Sequence, residues 1–129
     1  MSRLNKTFKT LRREERTGLV TYVTAGDPTV ARTESILRTL DASGADVLEI
    51  GVPFSDPLAD GPVIQRASER ALAAGSTLTS TLTTLEKMRS SLEAPIVIFT
   101  YVNPILSLGL DEFGARAAAA GIDGVLVLD

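Results

Sequence analysis

The stretch that decides the fold runs from Ala45 to Pro62 and reads ADVLEIGVPFSDPLADGP. It begins as an apolar strand, from Asp46 to Gly51, and continues as a loop rich in proline and aspartate. A carboxylate inside an apolar strand is costly unless it is paired or used in chemistry. Glu49 is such a carboxylate, and it stands near the carboxyl end of the strand, where α/β folds build their sites. The stretch therefore predicts an α/β protein with a site at this edge of a sheet.

On both sides of this stretch, helical and strand patterns alternate. An amphipathic helix is predicted over residues 2–15, and a loop is predicted between Asn103 and Gly109. Strand–helix–strand connections place the strands parallel. Both a (β/α)8 barrel and an open doubly wound sheet are built this way, so the order along the chain leaves the two open. The predicted strands lie at 19–25, 46–51, 96–101 and 124–128, with helices between them.

A weak internal repeat favours one recurring strand–helix unit. Ala42-Ser43-Gly44-Ala45-Asp46 parallels Ala119-Ala120-Gly121-Ile122-Asp123, and an apolar strand follows each segment. A (β/α)8 barrel typically needs about 250 residues and eight strands, whereas this chain has 129 residues. We therefore expect residues 1–129 to be the N-terminal half of a longer protein, incomplete as given, with helix 2–15 closing one end of the domain.

The composition excludes several classes of function. The net charge is −3, which does not favour nucleic acid. The chain has no cysteine and no histidine, so no metal site is predicted and acid–base chemistry falls to Asp, Glu, Tyr or Lys. No apolar run has the length of a signal peptide or a membrane span, which predicts a cytoplasmic protein that does not bind membranes.

Two carboxylates are the candidates for catalysis. Glu49 is either a structural acid paired with a buried arginine or lysine, or a proton shuttle, and composition weighs the two about equally. Asp60 precedes Gly61-Pro62, so its local sequence favours a helix N-cap. Its functional alternative is an anion that stabilises positive charge on a substrate nitrogen.

Other polar and aromatic residues lie near the predicted strand ends or in the proline-rich loop. Those at strand ends are candidates for a substrate pocket, with packing as the competing explanation. Those in the loop are either solvated turn residues or a rigid partner surface. The pocket candidates are Tyr22, Thr24, Tyr101 and Asn103, and the partner-contact candidates are Asp56 and Pro57.

Three blocks of the sequence resemble the tryptophan synthase alpha chain family. They are Thr24-Ala25-Gly26-Asp27-Pro28, the block from Leu48 to Gln65, and the block from Gly121 to Val127. The resemblance implies a (β/α)8 barrel that cleaves indole-3-glycerol phosphate to indole and glyceraldehyde 3-phosphate. Residues 1–129 would then be the N-terminal half of a single barrel domain, with helix 2–15 capping one end of the barrel. It also implies that Glu49 protonates the indole C3 carbon and that Asp60 interacts with the indole nitrogen as it becomes positive.

The resemblance further implies a partner, a beta chain in an alpha2-beta2 complex, and places Asp56 and Pro57 in a mobile loop at that contact. Pyridoxal phosphate would belong to the beta chain, so no cofactor is expected here. The family's phosphate-binding loops follow strands seven and eight, and the 129-residue fragment alone is therefore expected to be inactive. One alternative is another barrel lyase or isomerase acting on a phosphorylated sugar, which the block from Phe54 to Pro62 argues against. The other alternative is a catalytically inactive half-barrel that self-associates.

Overall fold

The computed structural model describes residues 2–129 and contains one sheet of four parallel strands in the order β1-β2-β3-β4. A doubly wound sheet reverses its strand order at a switch point, whereas a barrel adds each new strand beside the previous one. The observed order follows the barrel rule, which settles the choice that the sequence left open. The strands are β1 (Val20–Thr24), β2 (Val47–Gly51), β3 (Ile96–Tyr101) and β4 (Gly124–Leu128).

Six helices accompany the strands, and one of them was not predicted. The predicted loop between Asn103 and Gly109 is wrong, because residues Val102–Leu108 form a short helix. Pro104 lies in the first turn of this helix, where a missing N–H breaks no intrahelical hydrogen bond. The helices are α1 (Arg3–Arg13), α2 (Val30–Ala42), α3 (Pro62–Ala73), α4 (Leu78–Met88), α5 (Val102–Leu108) and α6 (Leu110–Ala119), and a 3-10 turn at Arg89–Ser91 extends α4.

The two faces of the sheet differ in burial. On one face, alternate residues of β2 and β3 are completely buried against the helices. On the other face Tyr22, Glu49 and Val97 are paired in register across β1, β2 and β3, and all three are only half-buried. Because side chains alternate along a strand, this second face is the one that a closed barrel would enclose. The buried face carries Leu48, Ile50, Ile96 and Ile98.

The internal repeat forms the same hydrogen bonds twice at the amino ends of the strands. The Asp46 carboxylate accepts the N–H of Leu19 at 2.8 Å, and the Asp123 carboxylate accepts the N–H of Ile96 at 2.9 Å. Asp46 also donates its own N–H to the carbonyl of Leu19, and Asp123 donates its N–H to the carbonyl of Ile96. The repeat therefore joins the start of one strand to the start of its neighbour.

Two arginines connect the N-terminal segment to these aspartates. Arg3 in α1 contacts Asp123 at 2.9 Å, and Arg16, just after α1, contacts Asp46 at 3.1 Å. Leu11 is the buried residue of α1. The helix predicted over residues 2–15 is confirmed, while its role as the cap of one barrel end stays a prediction. Over residues 2–129, no helix is both long and apolar enough to cross a membrane.

Candidate functional site

Glu49 lies in the middle of β2 on the open face of the sheet. Its register neighbours are Tyr22 on β1 and Val97 on β3. Within residues 2–129, no arginine or lysine forms a salt bridge with Glu49. The described residues therefore do not form the structural alternative, in which Glu49 pairs with a buried arginine or lysine. Glu49 is a half-buried carboxylate available to another molecule.

An aromatic pair crosses the sheet next to Glu49, toward the carboxyl ends of the strands. The rings of Tyr22 and Phe99 meet edge to face, with centroids 5.6 Å apart. Gly51 of β2 lies between them, and a Cβ atom at Gly51 would come within 2.0 Å of the Tyr22 hydroxyl oxygen. The absence of a side chain at Gly51 therefore allows Tyr22 to lie across β2 toward Phe99.

The carboxylate of Asp60 is bound by a residue of β3 rather than by α3. The Tyr101 hydroxyl donates a hydrogen bond to Asp60 Oδ2 at 3.1 Å and accepts one from the N–H of Ala59 at 3.0 Å. The local interpretation of Asp60 as a helix N-cap is wrong, because Gly61 is the N-cap and no side chain caps α3. The Asp60 carboxylate is turned instead toward Tyr101, a residue 41 positions away in the sequence.

The loop from Pro53 to Asp60 is buried at its start and exposed at its turn. Asp56 is exposed and accepts a hydrogen bond from the Ser55 hydroxyl at 3.0 Å. The carbonyl of Pro57 accepts from the N–H of Asp60 at 3.1 Å and from Gln65 at 3.3 Å. Next to Pro57, Leu58 is 88% exposed. The two partner-contact candidates are therefore close in sequence to an exposed apolar side chain that is not part of the hydrophobic core.

The pocket candidates do not all come together. Tyr22 and Thr24 are joined by a hydroxyl–hydroxyl contact of 3.4 Å at the end of β1. Tyr101 lies at the end of β3 and is 6% exposed. Asn103 is exposed in the first turn of α5, and within residues 2–129 no hydrogen bond connects it to the other candidates.

The charges of both acids act on Tyr22. Burial raises the pKa of the Tyr22 phenol, and its hydrogen bond with Thr24 lowers the pKa by less. The negative charges of Asp60 and Glu49 raise the pKa of Tyr22 further, by less than burial does. Burial and the bond to Asp60 likewise raise the pKa of Tyr101. Both phenols therefore stay neutral near pH 7 and retain a proton to donate.

This arrangement brings together a free carboxylate, a second carboxylate fixed by a phenol, and an aromatic wall. In general, a carboxyl group can exchange a proton with a bound molecule, and a fixed carboxylate can stabilise positive charge on one. Within the described residues, no group of three or more acidic, histidine or cysteine side chains could hold a metal ion.

Three residues that matter to this geometry were not among the sequence candidates. They are Gly51, which makes space for Tyr22, Phe54, which stacks on Tyr101 at 4.9 Å, and Gln65, which donates to the carbonyl of Asp60 at 2.9 Å. A glycine at a strand end often marks a close approach of another group, and that was the available signal for Gly51. The contacts of Phe54 and Gln65 depend on the folded path of the loop.

The whole chain is similar to known proteins. A family model described as tryptophan synthase alpha chain matches residues 8–129. The tryptophan synthase alpha chain of Solibacter usitatus is 55% identical over 129 residues, which is all of this chain and 48% of that relative. The one from Geobacter sulfurreducens is 54% identical, over all of this chain and 49% of the relative.

Solved structures show the same likeness in three dimensions. The crystal structure of tryptophan synthase subunit alpha from Legionella pneumophila has a TM-score of 0.97 and 45% identity, covering 100% of this chain and 50% of that chain. A crystal structure of tryptophan synthase from M. tuberculosis has a TM-score of 0.93 and 39% identity, covering 100% of this chain and 51% of that chain. The chain spans about half the length of the curated relatives it matches. It belongs to the tryptophan synthase alpha chain family.

Proposed function

We propose that the protein containing this chain is a tryptophan synthase alpha subunit, a lyase that cleaves indole-3-glycerol phosphate to indole and glyceraldehyde 3-phosphate in tryptophan biosynthesis. The observation that carries the proposal is the carboxylate of Glu49, which is in register with Tyr22 on the open face of the sheet and forms no salt bridge within residues 2–129. The identity of the substrate is inferred from membership of the family.

The two acids divide the chemistry between them. Glu49 in its protonated form gives a proton to the indole C3 carbon, which makes the ring a cation with its charge largely on the nitrogen. Asp60 accepts a hydrogen bond from the ring N–H and stabilises that cation. Glu49, now ionised, then takes the proton from the hydroxyl group on the side-chain carbon that is attached to C3. The bond from that carbon to C3 breaks, its electron pair returns to the ring, and indole and the aldehyde are released.

The pocket and the partner complete the proposal. Tyr22, Thr24, Tyr101 and Asn103 are the candidates for lining the substrate pocket. Asp56 and Pro57 are the candidates for contact with a beta chain in an alpha2-beta2 complex, next to the exposed Leu58. Pyridoxal phosphate would be bound by the beta chain and no cofactor by this one. We propose the cytoplasm as the location.

The test of catalysis uses a full-length protein, meaning one that carries these 129 residues and reaches the length of the relatives. Glu49→Gln removes the transferable proton and keeps the shape of the side chain. Because positioned acids and bases contribute about 100-fold or more to rate, indole release should fall by at least about 100-fold. Indole formation is followed by absorbance, and circular dichroism checks that the fold is retained.

The matched control is Glu86→Gln, which makes the same change at an exposed position on α4 and should leave the rate unchanged. Turnover by Glu49→Gln at the wild-type rate would overturn the assignment. For the partner, the full-length protein is mixed with a tryptophan synthase beta chain and analysed by size-exclusion chromatography. Co-elution supports the proposed complex, and separate elution at micromolar concentrations contradicts it.

A further inference from the structure

Tyr101 makes contacts that a pocket wall does not need. Its hydroxyl accepts from the N–H of Ala59 and donates to Asp60 Oδ2, so one oxygen binds two consecutive loop residues. Its ring stacks on Phe54, with centroids 4.9 Å apart and planes inclined by 30°. The side chain therefore contacts the loop from Pro53 to Asp60 near its beginning and at its end.

The backbone and the carboxylate of Asp60 are held by different groups. Its N–H donates to the carbonyl of Pro57, and its carbonyl accepts from Gln65. These bonds fix the path of the chain but leave the side chain free to rotate. Within residues 2–129, the Tyr101 hydroxyl is the one group hydrogen-bonded to the Asp60 carboxylate.

We propose that Tyr101 is a positioning residue, whose hydroxyl holds the Asp60 carboxylate in the orientation that the cleavage reaction needs. The proposal rests on the function proposed above. Oδ2 is engaged by Tyr101, while Oδ1 accepts no hydrogen bond within the described residues. Oδ1 is then the oxygen that faces the ring N–H of the substrate. A carboxylate fixed in advance stabilises developing charge without reorganising during the reaction.

The protonation state of the Tyr101 phenol supports this role. Burial raises the pKa of Tyr101, and the bond to Asp60 raises it further, while the N–H of Ala59 lowers it by less than burial raises it. The phenol therefore remains protonated and donates continuously to Asp60 near pH 7. A donor of this kind orients the carboxylate in the free protein, before substrate arrives.

The test compares Tyr101→Phe with wild type in the full-length protein. The phenylalanine keeps the ring that stacks on Phe54 and removes the hydroxyl alone. A hydrogen bond to a charged group is worth enough to change a rate by about tenfold. We expect kcat for indole release to fall about tenfold with little change in KM, because the interaction matters in the transition state. In an Asp60→Asn background the same change should cost little more, since the two residues act as a unit.

A second measurement does not depend on catalysis. Hydrogen exchange at the amide of Ala59 should be several-fold faster in Tyr101→Phe, because the acceptor of that N–H is lost. Ser55→Ala is the matched control. It removes a hydroxyl group from the same loop, and that hydroxyl bonds to Asp56 and not to Asp60. It should change neither kcat nor exchange at Ala59.

The outcomes separate this inference from the proposed function. A wild-type protein that releases indole, with an unchanged kcat in Tyr101→Phe, overturns the inference alone. A rise in KM at constant kcat also overturns it, because that is the result expected of a pocket wall. Independent, additive losses from Tyr101→Phe and Asp60→Asn contradict it as well. A wild-type protein that releases no indole overturns the proposed function, and the inference with it.

Discussion

At the scale of single residues, Gly51 determines the position of Tyr22 in the candidate site because it has no side chain. Tyr22 reaches across β2 because no side chain stands in its way, and its ring then meets Phe99. That position also brings the phenol under the influence of Glu49 and Asp60. The contact between Tyr22 and Phe99 and the position of the Tyr22 phenol therefore depend on the same glycine.

Substitution of Gly51 by alanine should destabilise the protein. The new Cβ would overlap the Tyr22 hydroxyl and the adjoining ring carbon, so the ring would have to move away from Phe99. Overpacking of this kind costs about 1–3 kcal/mol of unfolding free energy. We expect urea unfolding of full-length Gly51→Ala to show a loss in that range.

Gly114 provides a control of opposite sign. It is exposed inside α6 and nothing lies within 4 Å of a Cβ placed there. Gly114→Ala should therefore stabilise the protein by about 0.5–1 kcal/mol, because alanine is the better helix former. Equal effects of the two alanine substitutions would contradict the steric role assigned to Gly51.

Individual residues also mark the limit of prediction from sequence. Glu49 could be singled out because a carboxylate among apolar strand residues is unusual wherever the strand lies. Asp60 could not be placed correctly, since its local sequence is that of a helix cap while its partner is the distant Tyr101. Its orientation depends on the end of β3 lying beside the loop, and the neighbours of Asp60 in the sequence carry no information about that.

At the scale of elements, two aspartates of the internal repeat connect strands at their amino ends. Asp46 exchanges hydrogen bonds with Leu19, just before β1, and Asp123 does so with Ile96, the first residue of β3. Each aspartate also contacts an arginine of the N-terminal segment. These contacts lie at the opposite end of the strands from Tyr101 and Asp60. In barrels this end contributes to stability rather than to chemistry.

The bond between Asp46 and Arg16 predicts how stability depends on pH. The Arg16 guanidinium, and then the N–H of Leu19, hold the pKa of the Asp46 carboxyl below its ordinary value. Because the folded-state pKa is below the unfolded-state value of about 4, the stabilisation is complete above that pH and is lost as the pH falls through the folded-state pKa. The difference in unfolding free energy between wild type and Asp46→Asn should therefore shrink between about pH 5 and pH 2.

Urea unfolding of the full-length protein at a series of pH values measures this difference. Arg16 is half-exposed, so added salt should also reduce the difference by screening the pair. A difference that stays constant from neutral to acid pH would show that the ionised carboxylate of Asp46 does not stabilise the fold.

The elements differ in how well the sequence predicts them. β3 was predicted at the residues where it is found, because an unbroken apolar run before Asn103 is typical of a strand buried in a parallel sheet. α5 was missed because Asn-Pro is a common turn signal. The choice between turn and helix at Pro104 is made by the contacts of the following residues, such as the buried Ile105.

At the scale of the whole molecule, the sheet has two outer strands that each leave one edge unpaired within the described residues. β1 and β4 each pair on one side, and their apolar residues remain about half-exposed: Val20 at 49% and Val127 at 50%. Unpaired parallel strands offer backbone groups and apolar surface to other chains. In the relatives, which are about twice as long, four strands make up half of an eight-stranded barrel.

A polypeptide of these 129 residues alone is therefore expected to self-associate. Sedimentation velocity should show dimers or larger species at micromolar concentration, whereas the same residues within the full-length protein should not associate through this edge. Val127→Lys should weaken the association by placing charge on the edge of β4. Leu106→Lys makes a matched change at a residue of α5 that is 56% exposed, and should have little effect.

A monomer at every concentration, with cooperative unfolding, would contradict the expected association. It would also mean that four strands can cover their own edges. The expected inactivity of the isolated fragment is tested by the same indole assay that serves the full-length protein.

The strand order also bears on how the chain can be made. Each strand pairs with the one that precedes it in the sequence, so a growing polypeptide can add β2 to β1, then β3 and β4, in the order of its synthesis on the ribosome. The contact of Arg3 with Asp123 departs from this order, since 120 positions separate the two residues. The first helix must therefore wait until Asp123 has been synthesised before it can make this ion pair.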